Sequence, residues 1–240
     1  MGDGGILLAG GAGRRMDNGA KEKILLPING KPVFQYSLEA FSASGLFDEI
    51  VIVYREDLQK NALEKVTESM DMDEMPDLNW VQGGKERMHS VWNGLQKFEA
   101  QPELVFIHDC ARPAIGNKLL IQLATAARKH GAASAAHRIA DTIKRVAAEE
   151  TYDQTHQLED IQRKYLWGME TPQVFRYSEI CKGYKIAMDK QIQVTDDTAA
   201  LSLAGQKVSL VESRLPNPKL TTSRDLPFLE FLLMENPPCE

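Results

Sequence analysis

Short apolar runs alternate with amphipathic segments along most of the chain. Phe34, Leu38 and Phe41 recur at i, i+4 and i+7, which is the spacing of an amphipathic helix. The apolar runs that predict buried strands are 5–9, 49–54, 78–82, 103–107, 132–139 and 207–212. The segments that predict helices are 32–41, 56–70, 90–98, 117–130, 177–188, 196–204 and 225–234. We therefore expect a single α/β domain over residues 1–240.

Two of the predicted helices have clear end signals. Gly131 follows the helix over 117–130, and glycine commonly takes the left-handed conformation that ends a helix. Thr195 precedes the helix over 196–204 and is expected to cap it, because threonine side chains accept hydrogen bonds from a first helical turn. Asp196 and Asp197 would then lie in that first turn, where negative charge is favourable.

The alternation of strands and helices breaks between Val146 and Gln162. This stretch is polar, is rich in Glu and Asp, and has little periodicity. The chain then returns towards the sheet and re-enters it at 171–175. We interpret the stretch as an arm or hairpin that leaves the domain, not as a linker between two domains.

Composition and charge limit the possible partners. Hydrophobic residues make up 43% of the 240 and charged residues 26%, which is typical of a globular protein. The formal net charge is −6 and the pI is near 5.5. No nucleic-acid partner is expected, because that binding needs a basic face. An anionic ligand would need local arginines, lysines or a metal to overcome the overall sign.

Cysteine usage and hydropathy favour a cytoplasmic protein. Cys110, Cys181 and Cys239 are far apart, odd in number and not spaced as metal ligands, so we interpret them as reduced thiols. The first residues lead straight into a strand and a glycine loop, so no signal peptide is expected. No apolar run approaches the ~20 residues that span a bilayer, so no membrane association is expected.

A glycine-rich loop follows the first predicted strand. Gly10, Gly11 and Gly13 lie within four residues, and Arg14 and Arg15 come next. Glycine lets a ligand approach the backbone closely, and inward-turned N–H groups form a concave anion site. Arginine adds a planar fork of donors that fits phosphate oxygens. The loop indicates a nucleotide triphosphate site, with a tight turn and exposed arginines as the alternative.

A second junction of strand, glycine and helix lies at Gly83 and Gly84. Arg87 and Ser90 follow near the start of the next helix. Helix N-termini attract anions, so both side chains are candidates for nucleotide binding. Helix capping and surface charge are the alternative interpretation.

His108, Asp109 and Arg112 follow the strand over 103–107. Ligands in α/β proteins bind at the carboxyl ends of strands, and carboxylates hold Mg²⁺ beside substrate phosphates. Asp109 is therefore a candidate magnesium ligand, with a turn or helix cap as the alternative. Arg112 is expected to face the same crevice. We interpret His108 as a buried, hydrogen-bonded structural residue.

Eight motifs occur in one order along the chain. They are A-G-G-A-G-R-R-M at 9–16, Lys23, G-G-x-x-R-x-x-S-V at 83–91, H-D-C-A-R-P at 108–113, D-T-I-K at 141–144, T-P-Q at 171–173, T-D-D at 195–197 and N-x-K-x-T at 217–221. With these motifs the chain from about Ile6 to Phe231 resembles the 2-C-methyl-D-erythritol 4-phosphate cytidylyltransferases of the non-mevalonate isoprenoid pathway.

The resemblance implies a Rossmann-like nucleotidyltransferase fold with a mostly parallel central sheet, flanking helices and a protruding dimerisation arm at about 143–165. It implies transfer of CMP from CTP to a sugar-alcohol phosphate with release of pyrophosphate. Mg²⁺ or another divalent cation is the implied cofactor. The implied assembly is a homodimer in which Arg163 reaches the partner's active site.

The resemblance also implies residue roles. The implied catalytic residues are Arg15, Lys23 and Lys219. The implied nucleotide-binding residues are Ala9, Gly10, Gly11, Gly13, Gly83, Ser90 and Asp109. The implied acceptor-binding residues are Arg112, Thr142, Arg163, Thr195 and Lys219. Asp109 is the implied metal ligand.

The sequence departs from the family pattern at several positions, most of them on the acceptor side. Pro216 and Pro218 interrupt the usual pattern around the asparagine between them, and Arg138 stands where proline is common. Glu22 replaces a frequent proline and puts an anion next to Lys23. A ribitol 5-phosphate or other alditol phosphate cytidylyltransferase is the nearest alternative. A catalytically silent nucleotide-binding paralogue is less favoured.

Overall fold

The structure is a computed structural model, and it describes residues 2–11, 22–70, 75–146 and 155–235. The strands are β1 (Asp3–Leu8), β2 (Pro27–Ile28), β3 (Lys31–Pro32), β4 (Phe47–Tyr54), β5 (Asp77–Gln82), β6 (Leu104–Asp109), β7 (Ala132–Arg138), β8 (Lys144–Val146), β9 (Leu158–Asp160), β10 (Trp167–Arg176) and β11 (Ser209–Glu212). The helices are α1 (Val33–Ala43), α2 (Asp57–Glu68), α3 (Arg87–Leu95), α4 (Asn117–His130), α5 (Tyr177–Asp189), α6 (Asp197–Leu203) and α7 (Leu226–Glu235). Each helix in these ranges is too short or too polar to cross a membrane.

Seven strands form one sheet in the order β11-β7-β10-β6-β1-β4-β5. The four strands β6, β1, β4 and β5 pair in parallel, and so do β11 and β7. Only β10 is antiparallel to its neighbours β6 and β7. The predicted α/β class with a mostly parallel central sheet and flanking helices is confirmed.

Both faces of the sheet are covered by helices. Leu7 of β1 packs in a core with α1, α2 and α4, while its neighbour Ile6 packs in a second core with α3, α5 and α6. Successive side chains of a strand point to opposite faces, so a strand buried on both sides needs apolar residues throughout. This explains why the central strands read as unbroken apolar runs.

The register of the central strands brings separate motifs together. Leu8, the last residue of β1, lies opposite Asp109, the last residue of β6. The amide of Cys110 extends this pairing by donating to the Leu8 carbonyl at 3.2 Å. The glycine loop and the 108–113 motif therefore leave the sheet side by side, at the edge where parallel sheets bind ligands.

The two predicted helix ends have different outcomes. Gly131 has φ of +89° and closes α4, as predicted. The N-cap prediction for Thr195 is wrong, because Asp196 caps α6 and its carboxylate accepts from the Ala199 amide at 2.9 Å. Threonine and aspartate are both good caps, so the local pattern could not choose between adjacent residues.

The predicted arm begins and ends as a hairpin. Strands β8 and β9 are antiparallel, with Val146 opposite Leu158. Lys144 is paired with Asp160, and Arg145 lies 3.1 Å from Glu159. Residues 147–154 of the arm lie outside the described part of the chain.

Candidate active site

A cleft of about 540 Å³ opens at the carboxyl ends of β1, β4 and β6. Cavities of roughly 300–1,000 Å³ commonly hold small-molecule ligands. Five cationic and two acidic side chains line it: Lys23, Arg55, Lys85, Arg87, Lys219, Glu86 and Asp109. The cleft is thus locally cationic in a chain of net charge −6.

The cleft gathers six of the fourteen residues predicted for the site, or half of the twelve that the structure describes. The predicted residues that line it are Gly10, Gly11, Lys23, Ser90, Asp109 and Lys219. Those in the described ranges that do not line it are Ala9, Gly83, Arg112, Thr142, Arg163 and Thr195. Gly13 and Arg15 lie outside the described residues.

The start of the glycine loop is fixed by β4 and α2. The amide of Ala9 donates to the Val53 carbonyl at 2.9 Å, and the Ala9 carbonyl accepts from Gln59 Nε2 at 3.2 Å. Ala9 is fully buried. A Cβ on Gly10 would lie 3.4 Å from the Arg55 amide nitrogen, so the loop passes close to the end of β4.

Lys23 is a buried cation, 8% exposed, at the start of a 3-10 helix over Lys23–Leu25. Its Nζ donates to the Leu220 carbonyl at 2.9 Å. The Leu220 amide in turn donates to the Ala111 carbonyl at 2.7 Å. Lys23 and Lys219, far apart in sequence, are thereby held on one side of the cleft.

The second glycine junction closes another side of the cleft. Gly83 donates to the Tyr54 carbonyl at 2.7 Å, while the Gly84 amide donates to Ser90 Oγ at 3.1 Å. A Cβ on Gly83 would lie 2.8 Å from that Oγ, and one on Gly84 would lie 2.3 Å from the His89 Cβ. Gly84 therefore requires glycine, whereas a side chain at position 83 would displace the Ser90 hydroxyl, and Gly84 is the one that faces the cleft.

Asp109 is the carboxylate that pairs with two of the cations in the cleft. Its Oδ1 accepts from Arg87 Nε at 3.2 Å, and its Oδ2 accepts from Lys219 Nζ. Burial alone would raise the pKa of this carboxyl, but Arg87 and Lys219 outweigh burial and hold the pKa of Asp109 well below its usual range. The carboxylate is therefore ionised at neutral pH.

Arg87 connects Asp109 to α6. Its Nη1 and Nη2 donate to the two oxygens of Asp197 at 2.7 and 2.8 Å, and Tyr184 OH donates to Asp197 Oδ1 at 2.6 Å. Burial lowers the pKa of Arg87, while Asp197 and Asp109 raise the pKa more, so it lies well above its ordinary value. Gly183 permits this packing of α5 on α6, because a Cβ there would lie 2.3 Å from the Ala200 carbonyl oxygen.

The sequence did not reveal the role of Asp197. Its position in a first helical turn explained its charge locally, whereas the structure places it fully buried against Arg87. The one signal in the sequence was the charge of Asp197 itself within a predicted helix. A charged residue in a helix has many possible causes, so this signal did not predict a buried ion pair.

His108 is structural, as predicted. It is fully buried, and burial, with Arg112 and Lys219 nearby, lowers its pKa to about 3 despite the opposing effect of Asp109. Thr171 Oγ1 accepts from the Asp109 amide at 3.1 Å and lies 3.0 Å from His108 Nδ1. The Arg112 carbonyl can only accept, so Nε2 of the neutral ring donates to it at 3.1 Å, and Nδ1 accepts from the Thr171 hydroxyl.

Arg112 lies beside the cleft and supports the segment that carries Lys219. Its Nη1 donates to the Asn217 carbonyl at 2.6 Å. Asn217 is 3% exposed, and its Nδ2 donates to the Thr171 carbonyl at 2.8 Å. The 217–221 motif is thus joined to the 108–113 and 171–173 motifs.

The other predicted acceptor-binding residues are exposed. Thr142 follows β7, Thr195 precedes the cap of α6, and Arg163 donates from Nη1 to the Ala140 carbonyl of its own chain. In this chain alone none of the three lines the cleft.

Comparison with known proteins decides the family. The family model for 2-C-methyl-D-erythritol 4-phosphate cytidylyltransferase matches residues 5–235. The chain belongs to this cytidylyltransferase family. A relative of that name from Caldanaerobacter subterraneus is 36% identical over 232 residues, covering 95% of this chain and 97% of the relative. One from Geobacillus thermodenitrificans is 36% identical over 228 residues, covering 95% of each.

Solved structures of similar proteins agree. The 4-diphosphocytidyl-2C-methyl-D-erythritol synthase of Anaerococcus prevotii superposes with a TM-score of 0.80 at 27% identity, covering 97% of this chain and 96% of that one. The cytidylyltransferase of Francisella tularensis superposes with a TM-score of 0.77 at 26% identity, covering 97% and 100%. The nucleotidyltransferase fold predicted for this cytidylyltransferase is confirmed.

The side chains that line the cytidylyltransferase cleft can hold Mg²⁺ only if the substrate supplies most of the metal's ligands. Across the described ranges, three or more His, Cys, Asp or Glu side chains nowhere gather into a metal-binding group. Mg²⁺ is usually bound through one or two carboxylates together with substrate phosphates. The ionised Asp109 fits that pattern as a single protein ligand.

We expect Asp197→Asn to lower the free energy of unfolding of the cytidylyltransferase by roughly 2–4 kcal/mol, because it removes the fully buried carboxylate that pairs with both terminal nitrogens of Arg87. Urea denaturation measures this. Asp196→Asn is the matched control: asparagine caps helices as well as aspartate, so a loss below about 1 kcal/mol is expected. Equal losses in the two variants would contradict the proposed importance of the Arg87–Asp197 pair.

Proposed function

We propose that this chain transfers the cytidylyl group of CTP to the phosphate of 2-C-methyl-D-erythritol 4-phosphate and releases pyrophosphate. The observation that carries the proposal is the cationic cleft, in which glycine backbone, Lys23, Arg87 and Lys219 converge from distant parts of an acidic chain. The relatives described above carry the methylerythritol name, so the ribitol 5-phosphate alternative is not favoured.

The reaction forms one bond and breaks one bond. An oxygen of the acceptor phosphate attacks the α-phosphorus of CTP, and the bond from that phosphorus to the bridging oxygen breaks. Pyrophosphate leaves with the electron pair. The attacking phosphate is already an anion, so the step needs no strong general base. Its main obstacle is electrostatic, since two anions must meet while charge grows on the leaving group.

The cations of the cleft address this obstacle. Lys23 is held at the cleft by the Leu220 carbonyl, in a buried setting where a charge acts more strongly than in water. Lys219 is held by Asp109 on the same side. Fixed cations stabilise the growing negative charge without having to reorganise during the step. We assign Lys23 and Lys219 to the triphosphate and the attacking phosphate, respectively.

The glycine backbone is assigned to the nucleotide. Gly10, Gly11 and Gly84 line the cleft, and Ser90 holds the Gly84 amide in place. Arg15 and Gly13 keep the roles that the family resemblance implies. Ala9 and Gly83 support the nucleotide-binding backbone from behind, through their bonds to β4.

Mg²⁺ is the proposed cofactor, and Asp109 its proposed protein ligand. When bound, a divalent cation would neutralise part of the phosphate charge. Arg87 and Lys219 contact the two oxygens of this carboxylate, so a divalent cation that binds Asp109 would have to displace at least one of these contacts.

The acceptor is assigned to the side of the cleft where Arg112 supports Asn217 and Lys219. Within the described ranges the buried Nε of Arg112 makes no hydrogen bond, so this guanidinium keeps donor capacity beside the segment that carries Lys219. Thr142 and Thr195 are assigned to the acceptor with Arg112, as the family resemblance implies, and Arg163 is assigned to the acceptor of the partner's site.

We further propose that two chains form a homodimer through the arm at 143–165. Val146 and Leu158 lie opposite one another on the hairpin and are 42% and 55% exposed, and Tyr165 is 71% exposed. Apolar side chains exposed together are typical of interaction surfaces. In such a dimer, Arg163 would act on the acceptor of the partner's site.

Pyrophosphate release with CTP and Mg²⁺ tests the proposed activity. We expect turnover with methylerythritol 4-phosphate, and a kcat/KM at least about a hundredfold lower with ribitol 5-phosphate, because polar groups built for one substrate are left unpaired by another. Preference for ribitol 5-phosphate would overturn the acceptor assignment, and CTP binding without turnover on either would favour the silent paralogue.

Lys23→Ala is expected to lower kcat by roughly 10²–10³ while changing the Kd for CTP by less than about tenfold, since the leaving-group charge develops mainly in the transition state. Single-turnover kinetics and CTP titration separate the two effects. Lys31→Ala is the control: it removes an exposed cation outside the cleft and should leave both kcat and the Kd for CTP unchanged. An equal loss in binding and turnover would refute the assignment of Lys23 to the transition state.

Leu158→Asp is expected to convert a dimer of about twice 26.8 kDa into a monomer, because it buries a charge in the proposed interface. Light scattering measures the mass. Leu58→Asp, at a leucine that is 78% exposed on α2, should stay dimeric. A monomeric wild-type protein at micromolar concentration would refute the arm as a dimerisation element.

A further inference from the structure

The two ends of the glycine loop meet on one side chain, that of Gln59. This glutamine of α2 is only 1% exposed. Its Nε2 donates to the Ala9 carbonyl at 3.2 Å, where the loop begins, and to Glu22 Oε2 at 2.5 Å, where the loop ends. Its Oε1 accepts from the Arg55 amide at 2.7 Å. One amide group therefore links β1, β4 and the residue before Lys23.

The same glutamate is bound by a second group. Arg55 Nη2 donates to Glu22 Oε1, and the same nitrogen also lies 2.8 Å from Glu56. The side chains of Arg55 and Glu22 are 27% and 23% exposed, so their attraction is less screened than that of a surface pair. The anion that the sequence places beside Lys23 is thus bound on both oxygens by Gln59 and Arg55.

This arrangement has an electrostatic and a geometric consequence. A free carboxylate at the rim of a triphosphate cleft would repel the ligand, and Arg55, which lines the cleft, neutralises it. Lys23 follows Glu22 directly, so an anchored Glu22 determines where the lysine enters the cleft. Holding both ends of the loop before the ligand arrives lowers the entropic cost of binding.

We propose that Gln59, Glu22 and Arg55 form a loop clamp that positions the backbone at Ala9–Gly11 and the ammonium of Lys23 for the nucleotide. Gln59 and Glu22 are positioning residues that act through these groups. The inference rests on the proposed function, because it concerns how the same cleft binds CTP.

Glutamine is the residue type that the clamp requires at position 59. Its amide supplies a donor for the Ala9 carbonyl and the Glu22 carboxylate, and an acceptor for the Arg55 amide. Glutamate would lack the donors and would repel Glu22. Methionine would fill the same space without any of the three hydrogen bonds.

The test is calorimetric titration of the full chain with CTP and Mg²⁺ in the absence of acceptor. We expect Gln59→Met to weaken CTP binding by about tenfold to a hundredfold, the scale of effect caused by a small misplacement of site groups. The KM for methylerythritol 4-phosphate should change by less than about threefold, because the clamp touches only the nucleotide side.

Gln82→Met is the matched control. Gln82 Nε2 donates to the Arg55 carbonyl at 3.1 Å, so the substitution removes a glutamine bond to the same neighbour. Gln82 is exposed and ends β5, and its side chain makes no hydrogen bond to Ala9 or Glu22, the described ends of the loop. CTP binding by this variant should stay within about twofold of the wild type.

A charge swap keeps the inference testable if Gln59→Met folds poorly. Gln59→Glu alone places two carboxylates together and should weaken CTP binding at least tenfold. Adding Glu22→Gln removes the repulsion and restores one hydrogen bond between the two positions, so it should recover part of that loss; the bond to the Ala9 carbonyl stays broken. Equal CTP affinity of the single and double variants would overturn the contact between positions 59 and 22, and with it the clamp.

The remaining outcomes are also decisive. CTP binding by Gln59→Met within twofold of the wild type would overturn the inference and leave the proposed function intact. Equal losses in CTP and acceptor affinity, together with a lowered Tm, would reduce Gln59 to a general structural residue. Absence of CTP binding by the wild-type chain would overturn the proposed function itself.

Discussion

Asp109 and the cations around it hold the site together. Its carboxylate accepts from Arg87 of α3 and Lys219 of the segment before α7, and β6 carries it to the edge of the sheet. A buried carboxylate would be costly if it were unpaired. Arg87 and Lys219 offset that cost by pairing with the carboxylate. The same ion pairs fix both cations near the point where phosphate charge must be neutralised. Loss of either cation would leave the buried carboxylate of Asp109 with less compensation for its burial.

Two other carboxylates near the cleft are also held by partners from distant parts of the chain, and Arg87 and Gln59 provide these contacts. Arg87 bridges Asp109 to Asp197, which Tyr184 also contacts, so the packing of α5 on α6 supports the cleft. Gln59 and Arg55 likewise bind the carboxylate of Glu22. The cleft is therefore supported by two polar networks, and both are anchored on helices with apolar inner faces. Rigid elements of this kind hold site groups more accurately than loops do.

Local sequence was sufficient where the physical cause is itself local. The apolar runs located the central strands because a strand covered on both faces must be apolar throughout. Gly131 was located because a left-handed helix end favours glycine. The cap of α6 was misplaced by one residue, because Thr195 and Asp196 satisfy the same local rule and only the packing of Asp197 against Arg87 sets the register. The ion pair between Glu22 and Arg55 could not be predicted from local sequence either, because 33 residues separate the two.

By itself, the sequence determined the α/β class, the order of the motifs and, through those motifs, the cytidylyltransferase family. These depend on periodicity, glycine and proline placement and residue identity, which are properties of short stretches. Only the tertiary structure decided which predicted residues share the cleft, which carboxylates neutralise which cations, and that Gln59 joins the two ends of the glycine loop. Those features depend on the register of parallel strands and the packing of helices across the sheet. Charge pairing in a folded chain is set by distance in space, and distance along the sequence carries little information about it.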